Sequence, residues 1–299
     1  MKDFINLSDF DGAVLGSLLD RAIADKAAFR AGELPASLSR RVLGMIFQKA
    51  SLRTRVSFEA AMTHLGGHAV YLTRDDIGLG KREAVQDIAR VLSRMCDAVC
   101  VRTYSHEWLE DLARSASAPV INALTDHSHP CQAMADLMTV LEHFGELAGR
   151  TVAFVGDGNN VARSLAVACK KLGMRFILAA PKGYELTDPP AGEAYRVTAE
   201  AAAAVADADV ICTDTWVSMG QEEQRRERLE AFQGFQLNAD LLARAPGEAI
   251  VLHCLPAYRG FEITDEVFEA HAESILAESE NRLHFQRTLL NVLVAEGGL

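Results

Sequence analysis

The feature that most constrains the fold is an alternation of short apolar segments with longer segments of helical periodicity, which continues along most of the 299 residues. The apolar segments have the length of buried strands. Strands separated by helices of this length predict parallel sheets that are covered on both faces, so the fold class is α/β. The predicted strands are Arg41 to Gln48, Ala69 to Thr73, Ala98 to Arg102, Pro119 to Ala123, Thr151 to Val155, Arg175 to Ala180, Val210 to Thr213 and Ala249 to His253.

These elements form two series, separated by the segment Gly-Glu-Leu-Ala-Gly-Arg at 145–150. A chain of this length exceeds the size at which one hydrophobic core usually suffices. We therefore predict two doubly wound parallel-sheet domains, one over 1–145 that is closed by a C-terminal helix over 280–299, and one over 146–279. Ligands of open parallel sheets lie outside the carboxyl ends of the strands, so the active site is expected in the cleft between the domains.

Composition excludes several classes of protein. The formal net charge of −11 argues against a general binder of nucleic acid or anionic membranes. No apolar run is long enough to span a bilayer, and the first residues lack the pattern of a signal peptide, so a cytoplasmic location is expected. The six cysteines are scattered along the chain and predict reduced thiols rather than a disulfide framework.

The stretch Lys49-Ala-Ser-Leu-Arg-Thr-Arg-Val-Ser-Phe-Glu59 links a predicted strand to a predicted helix. Free N–H groups at a helix start, the helix dipole and hydroxyl side chains together make a site for an anion. Arg53 adds planar donors that suit a phosphate group. In an alternative interpretation Ser51 only caps the helix and both arginines are solvated, and the segment alone does not decide between the two.

Three later segments each follow a predicted strand and carry side chains able to do chemistry. His129-Pro-Cys-Gln132 offers an imidazole and an amide that can hydrogen-bond one carbonyl group. Asp214-Thr-Trp-Val-Ser-Met-Gly220 offers a carboxylate and a hydroxyl suited to a cationic amine. In His253-Cys-Leu-Pro256, Cys254 is either a thiolate or a buried thiol. Together with His129 and Cys131 the cysteine suggests a metal site, but neither spacing matches a known ligand pattern, and no metal is predicted.

The segment Val155-Gly-Asp-Gly-Asn-Asn-Val161 follows a strand and opens a helix, as a dinucleotide-binding fingerprint does. The third glycine position holds Val161, and the next strand ends at Ala179-Ala-Pro-Lys without the acidic residue that would hold a ribose. A nicotinamide cofactor is therefore disfavoured, and no cofactor is predicted.

Taken together, Ser-Leu-Arg-Thr-Arg at 51–55, His-Pro-Cys-Gln, Asp-Thr-Trp-Val-Ser-Met-Gly and His-Cys-Leu-Pro resemble the aspartate/ornithine carbamoyltransferase family in order and spacing, over nearly the whole chain. The last two segments look like the ornithine branch of that family. The resemblance implies transfer of the carbamoyl group from carbamoyl phosphate to the side-chain amine of L-ornithine, which gives L-citrulline and phosphate. It also implies a homotrimer.

The resemblance implies a role for each matching residue. The residues expected to bind carbamoyl phosphate are Ser51, Leu52 through its N–H, Arg53, Thr54, Arg102, His129, Gln132, Cys254, Leu255 and Arg282. Of these, Arg102, His129, Cys254 and Arg282 are expected to take part in catalysis. The residues expected to bind ornithine are Asn160, Asp214, Ser218 and Met219, with Asp214 on the α-ammonium group.

One position departs from the family pattern, and two alternative functions stay open. By the resemblance, Gly78 stands where relatives usually carry a glutamine or histidine that reaches a neighbouring subunit's substrate, and Lys81 and Arg82 are the candidates to replace that contact. The alternatives are a carbamoyltransferase for another amine acceptor and a carbamoyl phosphate-binding protein without turnover. An acylated α-amine would not need the carboxylate of Asp214, which argues against the first.

Overall fold

The computed structural model describes residues 2–78 and 83–299, and these residues form two compact units. Unit 1 comprises Met1–Met134 and Arg282–Leu299, and unit 2 comprises Ala135–Asn281. The chain passes from one unit to the other within two helices, α6 (Pro130–Phe144) and α12 (Ala272–Leu290). Each unit contains one parallel sheet, as the alternation of strands and helices predicts.

Unit 1 is built around a four-stranded parallel sheet within the described residues, in the order β2-β1-β3-β4. Residues of β1, β3 and β4 are almost all buried, because helices cover both faces of a parallel sheet. Its elements are α1 (Gly12–Arg30), β1 (Val42–Phe47), α2 (Leu52–His64), β2 (His68–Thr73), α3 (Arg74–Ile77), α4 (Val85–Met95), β3 (Ala98–Arg102), α5 (His106–Ser115), β4 (Val120–Leu124) and the start of α6 (Pro130–Phe144).

Unit 2 is built around a five-stranded parallel sheet in the order β7-β6-β5-β8-β9. Its core contains aromatic residues from the segment that follows β8. Among them are Trp216 and Phe232, whose rings stack with their centroids 5.7 Å apart. Its elements are the rest of α6, β5 (Thr151–Val155), α7 (Asn160–Lys171), β6 (Arg175–Ala179), β7 (Tyr195–Thr198), α8 (Ala201–Val205), β8 (Val210–Thr213), α9 (Arg225–Ala231), α10 (Ala239–Leu242), β9 (Ile250–His253), α11 (Asp265–Ala270) and the start of α12 (Ala272–Leu290).

The helix that follows the anion-binding motif begins where the sequence predicts a strand-to-helix turn. Ser51 is its N-cap, and the Ser51 hydroxyl accepts a hydrogen bond from the Thr54 N–H. Phe58 and Met62 lie one turn apart on the helix and are buried, as their spacing predicts. The cap and the buried face together fix where the chain turns from β1 into α2.

The helical spacing near the amino end predicts Ser8 as the cap of the first helix, but Ser8 lies inside a short 3₁₀ helix and Asp11 precedes α1 instead. Helix α4 ends at Met95, where the sequence predicts its end, so Cys96 and Cys100 do not share a helical face. Among the described residues, no helix combines the length and apolar composition needed to cross a bilayer.

Candidate functional site

The predicted carbamoyl phosphate residues of unit 1 lie at the carboxyl ends of adjacent strands. Ser51 follows β1, Arg102 is the last residue of β3, and His129 follows β4. Parallel strands all end at the same edge of the sheet, so these residues come together although they are far apart in sequence. The C-terminal helix α12 adds Arg282, which lies 228 residues after Thr54 in the sequence.

The Thr54 hydroxyl is the point on which these side chains converge. Arg282 donates from Nη2 to Thr54 Oγ1 at 2.9 Å, and Arg102 Nη1 lies at 3.5 Å, the outer limit for a hydrogen bond. The Ser51 hydroxyl lies 3.1 Å from the same oxygen. Two buried guanidinium groups at the start of a helix create a strongly positive environment for an anion.

The two arginines of the opening motif have different surroundings. Arg53 is half-buried, and its charge contributes to lowering the pKa of His129. Arg55 is exposed, pairs with Glu59 at 2.9 Å and covers the Tyr71 ring at 4.0 Å. Arg53 therefore belongs to the positive cluster, the group of arginines whose charges lower the pKa of His129, whereas Arg55 makes surface contacts. Each arginine thus fits one of the two interpretations that the sequence left open.

His129 is buried directly before α6. Burial, followed by the charges of Arg282, Arg102 and Arg53, holds the pKa of His129 well below its usual value. The imidazole is therefore neutral at pH 7, and a neutral imidazole can donate one hydrogen bond to a carbonyl oxygen. Gln132 is also buried, one turn further, and its N–H donates to the His129 carbonyl at 3.1 Å.

Leu52 and Gly78 complete the predicted positions in unit 1. Leu52 is the first residue of α2, so its N–H belongs to the unpaired group at the helix start, and its side chain is 75% exposed. Gly78 ends α3 with φ +63°, a left-handed conformation that favours glycine. Lys81 and Arg82, the suggested substitutes, lie outside the described residues.

The predicted ornithine residues lie at the carboxyl ends of strands of the second sheet. Asn160 is the first residue of α7 after β5, and Asp214 directly follows β8. Ser218 and Met219 lie further along the loop after β8, where the Ser218 N–H donates to Gln221 and the Met219 side chain is 49% exposed. Cys254 follows β9, the neighbour of β8.

Asp214 is the buried centre of this group. Its carboxylate accepts hydrogen bonds from Asn159 Nδ2 at 2.7 Å, from the Thr215 N–H at 2.7 Å and from Cys254 Sγ at 3.0 Å. Asn159, which is not among the predicted site residues, makes a side-chain contact with Asp214. Asn159 also caps α7, and an asparagine before a helix is the sequence signal that could have identified it.

Cys254 is a thiol and not a thiolate. Burial and, next, the charge of Asp214 raise the pKa of Cys254 well above its usual value. The protonated sulfur is the form that donates to the Asp214 carboxylate. Leu255 follows with φ +57°, and its N–H donates to His253 Nδ1 at 2.9 Å.

Asp214, His253 and Cys254 bring three potential metal-ligand atoms within 4.8 Å of one another. Each of these groups is already hydrogen-bonded. Because His253 Nδ1 accepts from a backbone N–H, its Nε2 carries the proton and faces the buried Glu262 carboxylate at 3.1 Å. A zinc site would need a free imidazole nitrogen and a thiolate, so this arrangement favours a hydrogen-bonded network over a metal.

Comparison with known proteins identifies relatives over the whole chain. The description "Aspartate/ornithine carbamoyltransferase, carbamoyl-P binding domain" matches residues 2–142, and "Asp/Orn binding domain" of the same family matches residues 148–293. An ornithine carbamoyltransferase of Methanoculleus marisnigri is 47% identical over 302 residues, covering 99% of this chain and 98% of that protein.

Solved structures give the same result. The ornithine carbamoyltransferase of Pyrococcus furiosus has a TM-score of 0.93 and 45% identity, covering 99% of this chain and 97% of that one. An anabolic ornithine carbamoyltransferase of Campylobacter jejuni has a TM-score of 0.91 and 38% identity, covering 98% and 99%. The two parallel-sheet α/β domains predicted from the sequence are confirmed.

Proposed function

Because the chain belongs to the aspartate/ornithine carbamoyltransferase family, we propose that it is an ornithine carbamoyltransferase. It transfers the carbamoyl group of carbamoyl phosphate to the side-chain amine of L-ornithine, and the products are L-citrulline and phosphate. The reaction serves arginine biosynthesis. The observation that carries the choice of acceptor is the buried Asp214 carboxylate, whose negative charge suits the α-ammonium group of a free amino acid.

We assign the two substrates to different parts of the chain. Residues 1–145 with 280–299 hold carbamoyl phosphate, and residues 146–279 hold ornithine. The phosphate is bound by Ser51, the Leu52 N–H, Arg53, Thr54 and Arg102, a set that offers N–H, hydroxyl and guanidinium donors to phosphate oxygens. Ornithine is bound by Asn160, Asp214, Ser218 and Met219, with Asn159 holding the Asp214 carboxylate in place.

The carbamoyl carbonyl oxygen becomes negatively charged during attack, and His129, Gln132, Arg102 and Arg282 are proposed to stabilise it. The neutral imidazole of His129 donates its proton as a hydrogen bond and needs no protonation step at pH 7. Cys254 and Leu255 are proposed as further contacts of the carbamoyl group. Cys254 acts as a protonated thiol, so it is not a covalent nucleophile here.

The nucleophile is the side-chain amine of ornithine. Its reference pKa resembles that of lysine, ~10.4, so the amine is almost wholly protonated in neutral water. The amine must lose its proton before it attacks, and desolvation together with nearby arginine charges favours that loss. The new C–N bond forms a tetrahedral intermediate, and the C–O bond to phosphate then breaks. Orienting both substrates supplies much of the rate.

We further propose a homotrimer in the cytoplasm. Apolar side chains that remain exposed on unit 1 support an assembly: Leu52 and Val56 lie one turn apart on α2, and Val91 and Met95 lie one turn apart on α4. All six cysteines are free thiols, which suits a reducing compartment. Sedimentation equilibrium measures the mass, and a monomer at micromolar concentration would contradict the trimer.

The test of function is citrulline formation from carbamoyl phosphate with ornithine, beside putrescine, N-acetylornithine and aspartate as separate acceptors. Turnover with ornithine and little with the other three is expected, because only ornithine offers both a free side-chain amine and a free α-ammonium group next to a carboxylate. Preferred turnover of putrescine or N-acetylornithine would contradict the role of Asp214. Tight binding of carbamoyl phosphate without turnover of any acceptor would contradict the enzyme assignment.

A further inference from the structure

Arg228 lies on α9 and is absent from every group of binding residues described above. Its side chain is 5% exposed, so a full positive charge is buried in unit 2. Burying a charge is unfavourable unless hydrogen bonds and an opposite charge compensate for it. The contacts that compensate the Arg228 charge therefore indicate what the residue does.

The guanidinium group joins two loops. Nε donates to the Trp216 carbonyl at 2.5 Å, and Nη2 donates to the Asp157 carboxylate in a short ion pair. Asp157 stands two residues before Asn159, and Trp216 stands two residues after Asp214. The loops over 156–160 and 214–220 are the ones that carry the proposed ornithine contacts, and Arg228 bonds to both.

Packing reinforces this connection. The guanidinium lies over the rings of Tyr184 at 4.9 Å and Phe232 at 5.6 Å. Gly158 touches the same region: its N–H donates to the Tyr184 carbonyl at 2.8 Å, and a side chain at Gly158 would come within 2.6 Å of the backbone of Glu185. The loop over 156–160 is thus held from two sides.

The ion pair exists at neutral pH. Burial raises the pKa of Asp157 to about 6 even though Arg228 acts in the opposite direction. The carboxylate is therefore mainly ionised at pH 7 and above.

We propose that Arg228 is a positioning residue for the amino-acid acceptor, which fixes the two loops so that Asn159 and Asp214 are held in their bonded arrangement before substrate arrives. Arg228 contacts no substrate in this role. Preorganised contacts spare the cost of ordering loops on binding, so their loss should weaken acceptor binding more than the chemical step. The inference rests on the proposed function in that ornithine is taken as the acceptor.

The test compares Arg228→Met with Arg226→Met. Arg226 lies on the same helix with a side chain that is 92% exposed, so it provides a matched control. Arg228→Met is expected to raise the KM for ornithine by about 10- to 30-fold, the loss expected for hydrogen bonds to a charged group. The KM for carbamoyl phosphate should stay within about twofold. Arg226→Met should leave both values unchanged.

Two further variants keep the test valid if Arg228→Met does not fold. Asp157→Asn keeps the shape of the loop and removes the opposite charge, and it should raise the same KM. Arg228→Lys keeps the charge but lacks the planar donors needed to reach Asp157 and Trp216 together, so it should give a smaller increase. An equal rise in both KM values, or a loss of thermal stability with the KM for ornithine unchanged, would show a purely structural ion pair.

Hydrogen exchange separates this inference from the proposed function. The N–H groups of Val161 and Thr215, which bond to Asn159 and Asp214, report on the two loops without substrate. Faster exchange of both in Arg228→Met than in Arg226→Met is expected even if the wild-type protein carbamoylates no acceptor. Unchanged exchange in both loops would overturn the inference whatever the activity.

Discussion

The two units use the same device at the amino ends of their sheets. Asp97 stands directly before β3. Its carboxylate accepts hydrogen bonds from the Val42 N–H at 2.8 Å and from the side chain of Arg41 at 2.7 Å.

Asp209 stands directly before β8 in the other unit. Its carboxylate accepts hydrogen bonds from the Thr151 N–H at 2.8 Å and from the side chain of Arg150 at 3.0 Å. In both cases the aspartate ties the first residue of one strand to the start of its neighbour.

The carboxyl ends of the same two sheets differ in charge. In unit 1 three arginines surround His129, and their charges help to lower the pKa of that base. In unit 2 the Asp214 carboxylate helps to raise the pKa of the Cys254 thiol. The sheet determines where the loops lie, and the loop residues determine whether the site attracts an anion or a cation.

The largest effect is expected from removing positive charge in unit 1. Arg53→Met should raise the KM for carbamoyl phosphate by about 100-fold, roughly 3 kcal/mol, because a charged donor to phosphate is lost. Arg55→Met, two residues along the same helix, is the control and should have little effect, because Arg55 pairs with Glu59 at the surface. Steady-state kinetics with varied carbamoyl phosphate measures both, and equal effects would remove the distinction between the two arginines.

A somewhat smaller effect is expected from removing negative charge in unit 2. Asp214→Asn keeps the size of the side chain but should raise the KM for ornithine by about 30-fold, because the attraction for an ammonium group is lost. The KM for carbamoyl phosphate should hardly change. Asp240→Asn, on the exposed face of α10, serves as the control. If Asp214→Asn weakened the binding of carbamoyl phosphate and not that of ornithine, the assignment of the two substrates to different parts of the chain would be contradicted.

The effect of the arginine charges in unit 1 should be measurable as a change in the pKa of His129. Because its pKa in the folded protein is lowered, the unfolded chain binds more protons between the two pKa values. The stability that His129 contributes is therefore complete above about pH 6.5 and is lost as the pH falls. Arg53→Met should move the pKa of His129 back toward its usual value, as followed by the NMR shifts of the ring protons. An unchanged pKa would mean that the charge of Arg53 does not act on His129.

The smallest effect is expected from the aspartate that each unit carries at the amino end of its sheet. Asp97→Asn and Asp209→Asn each weaken a charge-assisted hydrogen bond and an ion pair at a partly exposed position, so each should lower the free energy of unfolding by about 1 kcal/mol. Hydrogen exchange of the amides in β1 and β5 measures the effect in each unit separately. A much larger loss for one aspartate would show that the similarity is geometric and not energetic.

Strand positions could be predicted closely because buried parallel strands are short, continuous apolar runs. β5 and β8 have the predicted bounds, and β1 lies inside its prediction. β7 was missed, since its sequence Tyr-Arg-Val-Thr is half exposed at the edge of the sheet and lacks that apolar signal. The short helix α3 was missed because it is a single turn within a polar segment.

The four motifs of the candidate site could be recognised in the sequence. Their order along the chain places two motifs in each predicted domain. The supporting contacts were not predictable. Asn159 bonds to Asp214 across 55 residues, and Arg228 bonds to Asp157 across 71 residues. No periodicity or local spacing records such pairs, because they depend on which strands become neighbours in the sheet.

The sequence by itself therefore determined the fold class, the family and the chemical character of each loop, since these depend on local patterns of apolar, charged and glycine residues. Only the tertiary structure decided that Arg53 and not Arg55 joins the positive cluster, that Asn159 bonds to Asp214, and that Cys254 is protonated. These outcomes depend on burial and on charges brought together from distant segments, which set the energies of individual groups.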